Sequence, residues 1–144
     1  MAPARLIAKA FRQWLRPASS EADHIRRGRE GEDEAVRFLR ARGYRVLRRN
    51  FRAPGGGEVD VVCRHGNVLV FVEVKARQSE DFGRPLDAVN QKKQRLIIRG
   101  AMKWLRMLDA PDIHFRFDVI EIIHSPAHEI RLIENAFQLP GNYV

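Results

Sequence analysis

Residues 68–75 read Val68-Leu69-Val70-Phe71-Val72-Glu73-Val74-Lys75. A near-continuous β-branched and aromatic run of this length suits a central strand buried on both faces, and helix is the weaker reading. Side chains alternate across a strand, so Val68, Val70, Val72 and Val74 line one face, and Leu69, Phe71, Glu73 and Lys75 the other. The second face begins apolar and ends with a carboxylate and an ammonium group. Burying charge is costly unless it is paired, hydrogen-bonded or bound to a metal, so this pair demands a chemical reason.

The preceding run, Glu58-Val59-Asp60-Val61-Val62-Cys63, makes the same exception, with Glu58 and Asp60 two apart and hence on one face. Only Arg64-His65-Gly66-Asn67 separates the two runs, which reads as a hairpin. Antiparallel pairing about Gly66 brings Asp60 alongside Glu73, and two converging carboxylates make the all-oxygen environment that Mg²⁺ or Mn²⁺ prefers. A third acid comes from a helix predicted from about Ser20, its N-cap, to Arg42, closing at Gly43. At about 100° per residue, Ile25, Gly28, Val36 and Leu39 share one stripe with Glu32 in its middle. Glu21, Asp33 and Glu34 have ordinary solvated positions. A purely structural reading stands beside this one: a strand-end ion pair of Glu73 with Lys75, Asp60 in a turn, and Glu32 paired with an arginine.

A strand is predicted near Tyr44 to Phe51, a helix from about Pro85 to Leu108, a strand near His114 to Ile123, and a last arm near Glu129 to Ile133 after the Ser125-Pro126-Ala127 turn. This order gives an α/β fold with a mixed β-sheet flanked by helices. The Pro85–Leu108 helix supplies the crossover that sets the Phe117-Asp118-Val119 strand beside and parallel to the Glu73 strand. Lys92, Arg95, Arg99, Lys103 and Arg106 form a single-signed ridge on that helix, with Lys93 at its border, opposite an apolar stripe of Val89, Ile97, Ala101, Trp104 and Leu108. Such a ridge suits phosphate-backbone contacts, which carry no sequence preference and weaken with salt. The whole chain agrees: 26 Lys and Arg oppose 18 Asp and Glu in 144 residues, a net charge of +8 that favours nucleic acid or an acidic membrane surface.

A carboxylate on a first helix, then Asp60, then Glu73-Val74-Lys75 on the next strand resembles the PD-(D/E)xK nuclease superfamily, particularly its Holliday-junction resolvase branch. More closely, Gly31-Glu32 with Ala35, Gly57-Glu58-Val59-Asp60, Val70 to Arg77, Phe82-Gly83 and Phe117-Asp118-Val119 are similar to the YraN family of bacterial proteins. No proline immediately precedes Asp60, so the superfamily's short signature is incomplete at Val59. The resemblance implies a restriction endonuclease-like three-layer core and an endonuclease hydrolysing DNA, including branched or flapped DNA, with Mg²⁺ or Mn²⁺ as cofactor. It implies Asp60, Glu73 and the Val74 carbonyl as metal ligands. It also implies Glu32 at a second metal or a water, Lys75 at the attacking water or the developing charge, Arg77 at a neighbouring phosphate, and Glu58 as ligand or supporting partner. Asp118 takes a structural hydrogen-bonding role. Because junction resolvases act as pairs, a homodimer is a further implication, and DNA is the expected partner ahead of RNA.

The first sixteen residues read separately. Leu6, Ile7, Ala10, Phe11, Trp14 and Leu15 oppose Arg5, Lys9, Arg12 and Arg16, giving a basic amphipathic helix, and residues 17–20 read as a linker to a single domain over 21–144. That helix suits packing on its own domain or a neighbouring copy, and also a membrane surface or transit-peptide role. Two alternative functions follow: a non-catalytic nucleic-acid-binding module on the same fold, or a docking protein that uses the first helix. Gly55-Gly56-Gly57 lacks a P-loop ending and reads as a turn that could admit a phosphate backbone. The lone Cys63 excludes an intramolecular disulfide and suits a cytoplasmic location and core packing, as Trp104 does. His24, His65, His114, His124 and His128 are scattered, and no apolar stretch reaches transmembrane length.

Overall fold

In the computed structural model, which describes residues 26, 28–79, 89–109 and 112–141, the Val68 run is the middle strand of a mixed sheet. The strands are β1 (Arg45–Arg52), β2 (Glu58–His65), β3 (Val68–Ser79), β4 (His114–Ser125) and β5 (Glu129–Phe137), adjacent in that order. The β2–β3 hairpin about Gly66 and the parallel pairing of β3 with β4 are both as predicted, and β1 and β5 pair antiparallel at the two edges. The described residues from Gly31 onward form one compact unit. The predicted first helix over residues 1–16 and the linker over 17–20 lie outside the described residues.

Helix α1 covers residues 28–41, and α2 spans Gln91–Leu108. The sheet separates two apolar layers. Ala35, Val36 and Leu39 of α1 pack with Val61, Cys63, Val70, Val72, Ile120 and Ile122, while Ile97, Ile98 and Ala101 of α2 pack with Val59, Val62, Leu69, Phe71, Phe117 and Val119. The alternation read from the Val68 run is thus the one that divides the layers, in a three-layer α/β architecture consistent with a restriction endonuclease-like core. Cys63 is fully buried in the α1 layer, where burial pushes its thiol up to about 12.

Several predicted boundaries move. Helix α2 begins at Gln91, not Pro85, because the Asn90 side chain caps it by accepting from the Lys93 N–H at 2.9 Å. Val89 is buried but lies before the helix, and Leu108 is 43% exposed instead of closing the apolar stripe. Strand β3 continues to Ser79 because β4 pairs with it throughout, and β5 continues to Phe137, which stacks on Phe117. On α1 the buried stripe runs through Gly31, Ala35, Val36 and Leu39, with Gly28 exposed and Glu32 half-buried at its border.

Gly57 and Gly100 fix how α2 sits on the sheet. A Cβ on Gly100 would stand 2.9 Å from Val59 Cγ2 and 3.1 Å from the Glu58 backbone, and one on Gly57, whose φ is +109°, would stand 2.6 Å from the Gly100 nitrogen. Helix and strand backbones therefore touch at the start of β2. The space beside Gly57, expected to admit a phosphate backbone, is filled by α2.

Candidate functional site

The acidic site forms where β2 leaves β3. Their pairing ends at Val61 with Val72, so the next pair, Asp60 and Glu73, is not joined through the backbone. Instead the Asp60 carboxylate accepts the Val74 N–H at 2.9 Å, replacing a strand partner. A strand residue's N–H and C=O point to the same side, so the Val74 carbonyl faces the same gap. Alternation also breaks here: Val59 and Val61, two apart, belong to opposite apolar layers. On the neighbouring strand Asn50 has φ +51°, and it falls opposite Asp60 because Arg49 pairs with Val61 and Phe51 with Val59. The break puts Asn50 beside α1, where its side chain acts on Glu32 to favour the charged carboxylate.

The three acids read from the sequence are thereby brought into one electrostatic cluster. The Glu32 carboxyl is raised, by burial first; the neighbouring Asn50 side chain opposes the rise and the Asp60 carboxylate adds to it. Glu73 is 5% exposed, and burial, followed by the adjacent Asp60 carboxylate, pushes its carboxyl up to about 8. One Glu73 oxygen lies 3.5 Å from the Lys93 ammonium; the other is buried with no hydrogen-bond partner. Among the described residues, no three His, Cys, Asp or Glu side chains stand as a ready ligand set for a metal ion. What they present is a set of carboxylates held by protein donors, with one buried oxygen unsatisfied. Such an oxygen is costly unless a cation or donor reaches it.

Lys93 is the residue that sequence reasoning underrated. Expected at the border of the basic ridge, it turns inward from the first turn of α2 and pairs with Glu58 as well as Glu73. A cation at a helix N-terminus opposes the helix dipole, and the carboxylates offset that cost. Desolvation lowers the Lys93 ammonium, but Glu58, Glu73 and Asp60 outweigh it and the net displacement is upward. The Lys93 hydrogen bond is the main cause holding Glu58 below the usual carboxylate range. Glu58, the ambiguous member of the predicted set, is thus the principal partner of this lysine.

Lys75 follows Glu73 on the same strand face and is exposed; its neighbour in the β3–β4 register is Glu121. Glu121 is 1% exposed and went unnoticed in the sequence, although a carboxylate inside Asp118-Val119-Ile120-Glu121-Ile122-Ile123 carries the same signal that singled out Glu73. It pairs with Arg77 Nε at 3.1 Å. The guanidinium expected to grip a phosphate is therefore engaged by a buried acid of its own sheet. Asp118 does take a structural role: it accepts from Arg116 Nε at 3.0 Å and from the Asn135 N–H at 2.9 Å, holding the bulge between β4 and β5. Of the basic ridge, Lys92, Arg95, Arg99 and Arg106 are exposed and Lys103 is partly covered. A cleft lined by Phe115, Arg116, Phe117, Asn135 and Phe137 at the β4–β5 end includes none of the predicted site residues. Among the described residues no helix is long and apolar enough to cross a membrane.

Fold and site together define an α/β protein of restriction endonuclease-like architecture with an acidic cluster at the split between two central strands. The chain belongs to the uncharacterised protein family UPF0102, whose model matches residues 31–122, and this is the YraN family that its motifs resemble. It is 49% identical over 114 residues to a UPF0102 protein of Geobacter sulfurreducens, covering 78% of this chain and 88% of that one. It is 44% identical over 113 residues to one from Caldicellulosiruptor saccharolyticus (76% and 95%), and 42% identical over 132 residues to one from Pelobacter propionicus (89% and 94%). The matched segment of the family model contains Glu32, Asp60, Glu73, Lys75, Lys93 and Glu121.

Proposed function

We propose that this protein is a metal-dependent endonuclease that hydrolyses DNA phosphodiester bonds at the Glu32–Asp60–Glu73 cluster. The observation that carries the reading is the split between β2 and β3. It leaves two carboxylates and a backbone carbonyl facing one gap, with a buried Glu73 oxygen that no protein group satisfies. Donors of this kind suit Mg²⁺ or Mn²⁺, held by Asp60, Glu73 and the Val74 carbonyl, with Glu32 reaching a second ion or a water. When bound, such an ion lowers the pKa of water, polarises a phosphate and neutralises developing negative charge.

The chain's own residues supply the rest. Lys75, exposed beside Glu73, is available to orient the attacking water or balance charge on the phosphate. Asn50 stands beside Glu32 and favours its charged form, and the Val74 N–H fixes Asp60. Lys93 sits between Glu58 and Glu73 as an internal counter-cation. The exposed ridge of Lys92, Arg95, Arg99 and Arg106, with Lys103, suits the flanking phosphate backbone.

The test incubates the protein with Mg²⁺ or Mn²⁺ and linear, flapped and four-way-junction DNA, beside Asp60→Ala and Lys75→Ala. Metal-dependent cutting that both substitutions abolish is expected. Absence of cutting by the unaltered protein, or cutting that survives both changes, would sink the catalytic reading. Binding without cutting would identify a nucleic-acid-binding module on the same fold.

A further inference from the structure

Strand β1 reads Arg45-Val46-Leu47-Arg48-Arg49-Asn50-Phe51-Arg52, and all four of its arginines are exposed at an edge of the sheet. Arg45 is the direct cross-strand neighbour of Arg64 on β2, which is also exposed. Like charges directly opposite destabilise a sheet, so this pair works against the fold. Charged residues do guard edge strands against unwanted pairing. Guarding, however, calls for no single sign and gives no reason for a matching arginine on the inner strand.

Packing ties this edge to the basic ridge. The Arg48 guanidinium lies 5.8 Å from the centroid of the Phe51 ring, and Phe51 meets Trp104 of α2 edge-on at 5.2 Å. The Arg99 guanidinium reaches the β1–β2 turn, 3.3 Å from where a Cβ on Gly56 would stand. Arg48 and the α2 ridge therefore share one side of the β1–β2 hairpin. Towards its end, β1 runs into the acidic cluster through Arg49, paired with Asp33, and Asn50, beside Glu32.

We propose that Arg45, Arg48 and Arg64 form a binding surface for a nucleic-acid phosphodiester backbone, extending the α2 ridge across the outer edge of the sheet towards the acidic cluster. The inference rests on the nucleic-acid reading above and assigns the substrate a second line of contacts. These contacts are made to phosphates and are indifferent to base sequence.

Fluorescence anisotropy in EDTA tests it, with the full chain titrated against labelled single-stranded and duplex DNA over a range of KCl concentrations. Each neutralised phosphate contributes roughly 0.7–0.9 to the slope of log affinity against log salt, so Arg45→Gln/Arg48→Gln/Arg64→Gln should lower it by about 2–3 and weaken binding. Arg45→Gln, Arg48→Gln and Arg64→Gln made singly should each lower the slope by roughly 0.7–0.9, and Arg131→Gln, on β5 at the opposite edge, is their charge-matched control and should leave the slope unchanged. Unchanged affinity and slope in the triple variant overturn the proposal. So does the appearance of oligomers by size exclusion with binding intact, which would make the arginines edge guards. Binding of the unaltered protein to phosphatidylglycerol vesicles but not to DNA overturns it as well. Cleavage in Mn²⁺ is read separately, so the edge can fail while the phosphodiesterase reading stands, and the reverse.

Discussion

Replacing Glu73 with glutamine should stabilise the metal-free protein at alkaline pH and leave it nearly unchanged at acidic pH. The Glu73 carboxyl is 5% exposed and raised from 4.5 to about 8, by burial first and by Asp60 second. Below 4.5 the carboxyl is protonated in both folded and unfolded chains, and folding is independent of its charge. Between 4.5 and 8 the unfolded chain has released its proton while the folded chain keeps it, so stability falls as pH rises. Above about 8 the group is ionised in both states and the full penalty is present. At about 1.4 kcal/mol per pH unit, that penalty is roughly 3–5 kcal/mol. Glutamine keeps the shape without the charge. Urea unfolding in EDTA at intervals from pH 5 to pH 9 measures the difference between the two proteins, in which titrations outside the cluster cancel. The variant should gain progressively with pH and lead by several kcal/mol at pH 9. A difference that does not vary with pH, or a variant less stable at pH 9, would refute this account of the buried carboxylate.

Gly57→Ala should cost roughly 1–3 kcal/mol by overpacking against the Gly100 backbone, with left-handed strain in addition; a chemical-denaturation midpoint matching the unaltered protein would show that α2 does not press on β2. Asp118→Ala removes the partner of Arg116 and of the Asn135 N–H, so a loss of about 3 kcal/mol is expected in the same assay, with no change in Mn²⁺ affinity. Lys93→Met removes a cation beside Glu58 and Glu73 and should tighten Mn²⁺ binding roughly three- to tenfold at low salt by calorimetry, whereas weaker binding would show that the lysine shapes the site. Asn50→Ala should lower Mn²⁺ affinity by removing a polar neighbour that favours the charged Glu32 carboxylate, while leaving the β2–β3 hairpin intact by circular dichroism.

Much of the site was legible because a charged residue in an apolar strand violates local patterning, and such violations are visible without coordinates. Asp60, Glu73 and the hairpin joining them follow from charge inside apolar runs and one glycine turn, although the strict alternation that set Glu58 and Asp60 on one face breaks between Val59 and Val61. Glu32 followed from helical periodicity, although the helix is rotated enough to leave it at the border of the buried stripe. Glu121 carried the same signal as Glu73 and was missed. Lys93 carried a misleading one: on a helical wheel it belongs near the basic ridge, and only the packing of α2 on β2 turns it towards the acids. Arg77 was given to a phosphate because its partner, Glu121, lies more than forty residues away in sequence.

By itself the sequence determined the strand alternation, the two apolar layers, the antiparallel hairpin, the parallel crossover and three members of the acidic cluster. These depend on side-chain period and connection length, which are local properties of the chain. The tertiary structure decided which charges neutralise one another. The break at Asn50 and Asp60, the contact of Gly57 with Gly100, and the pairs of Lys93 with Glu58 and Glu73 and of Arg77 with Glu121 exist only when distant segments pack. Electrostatic energies depend on distances and burial that no single segment contains.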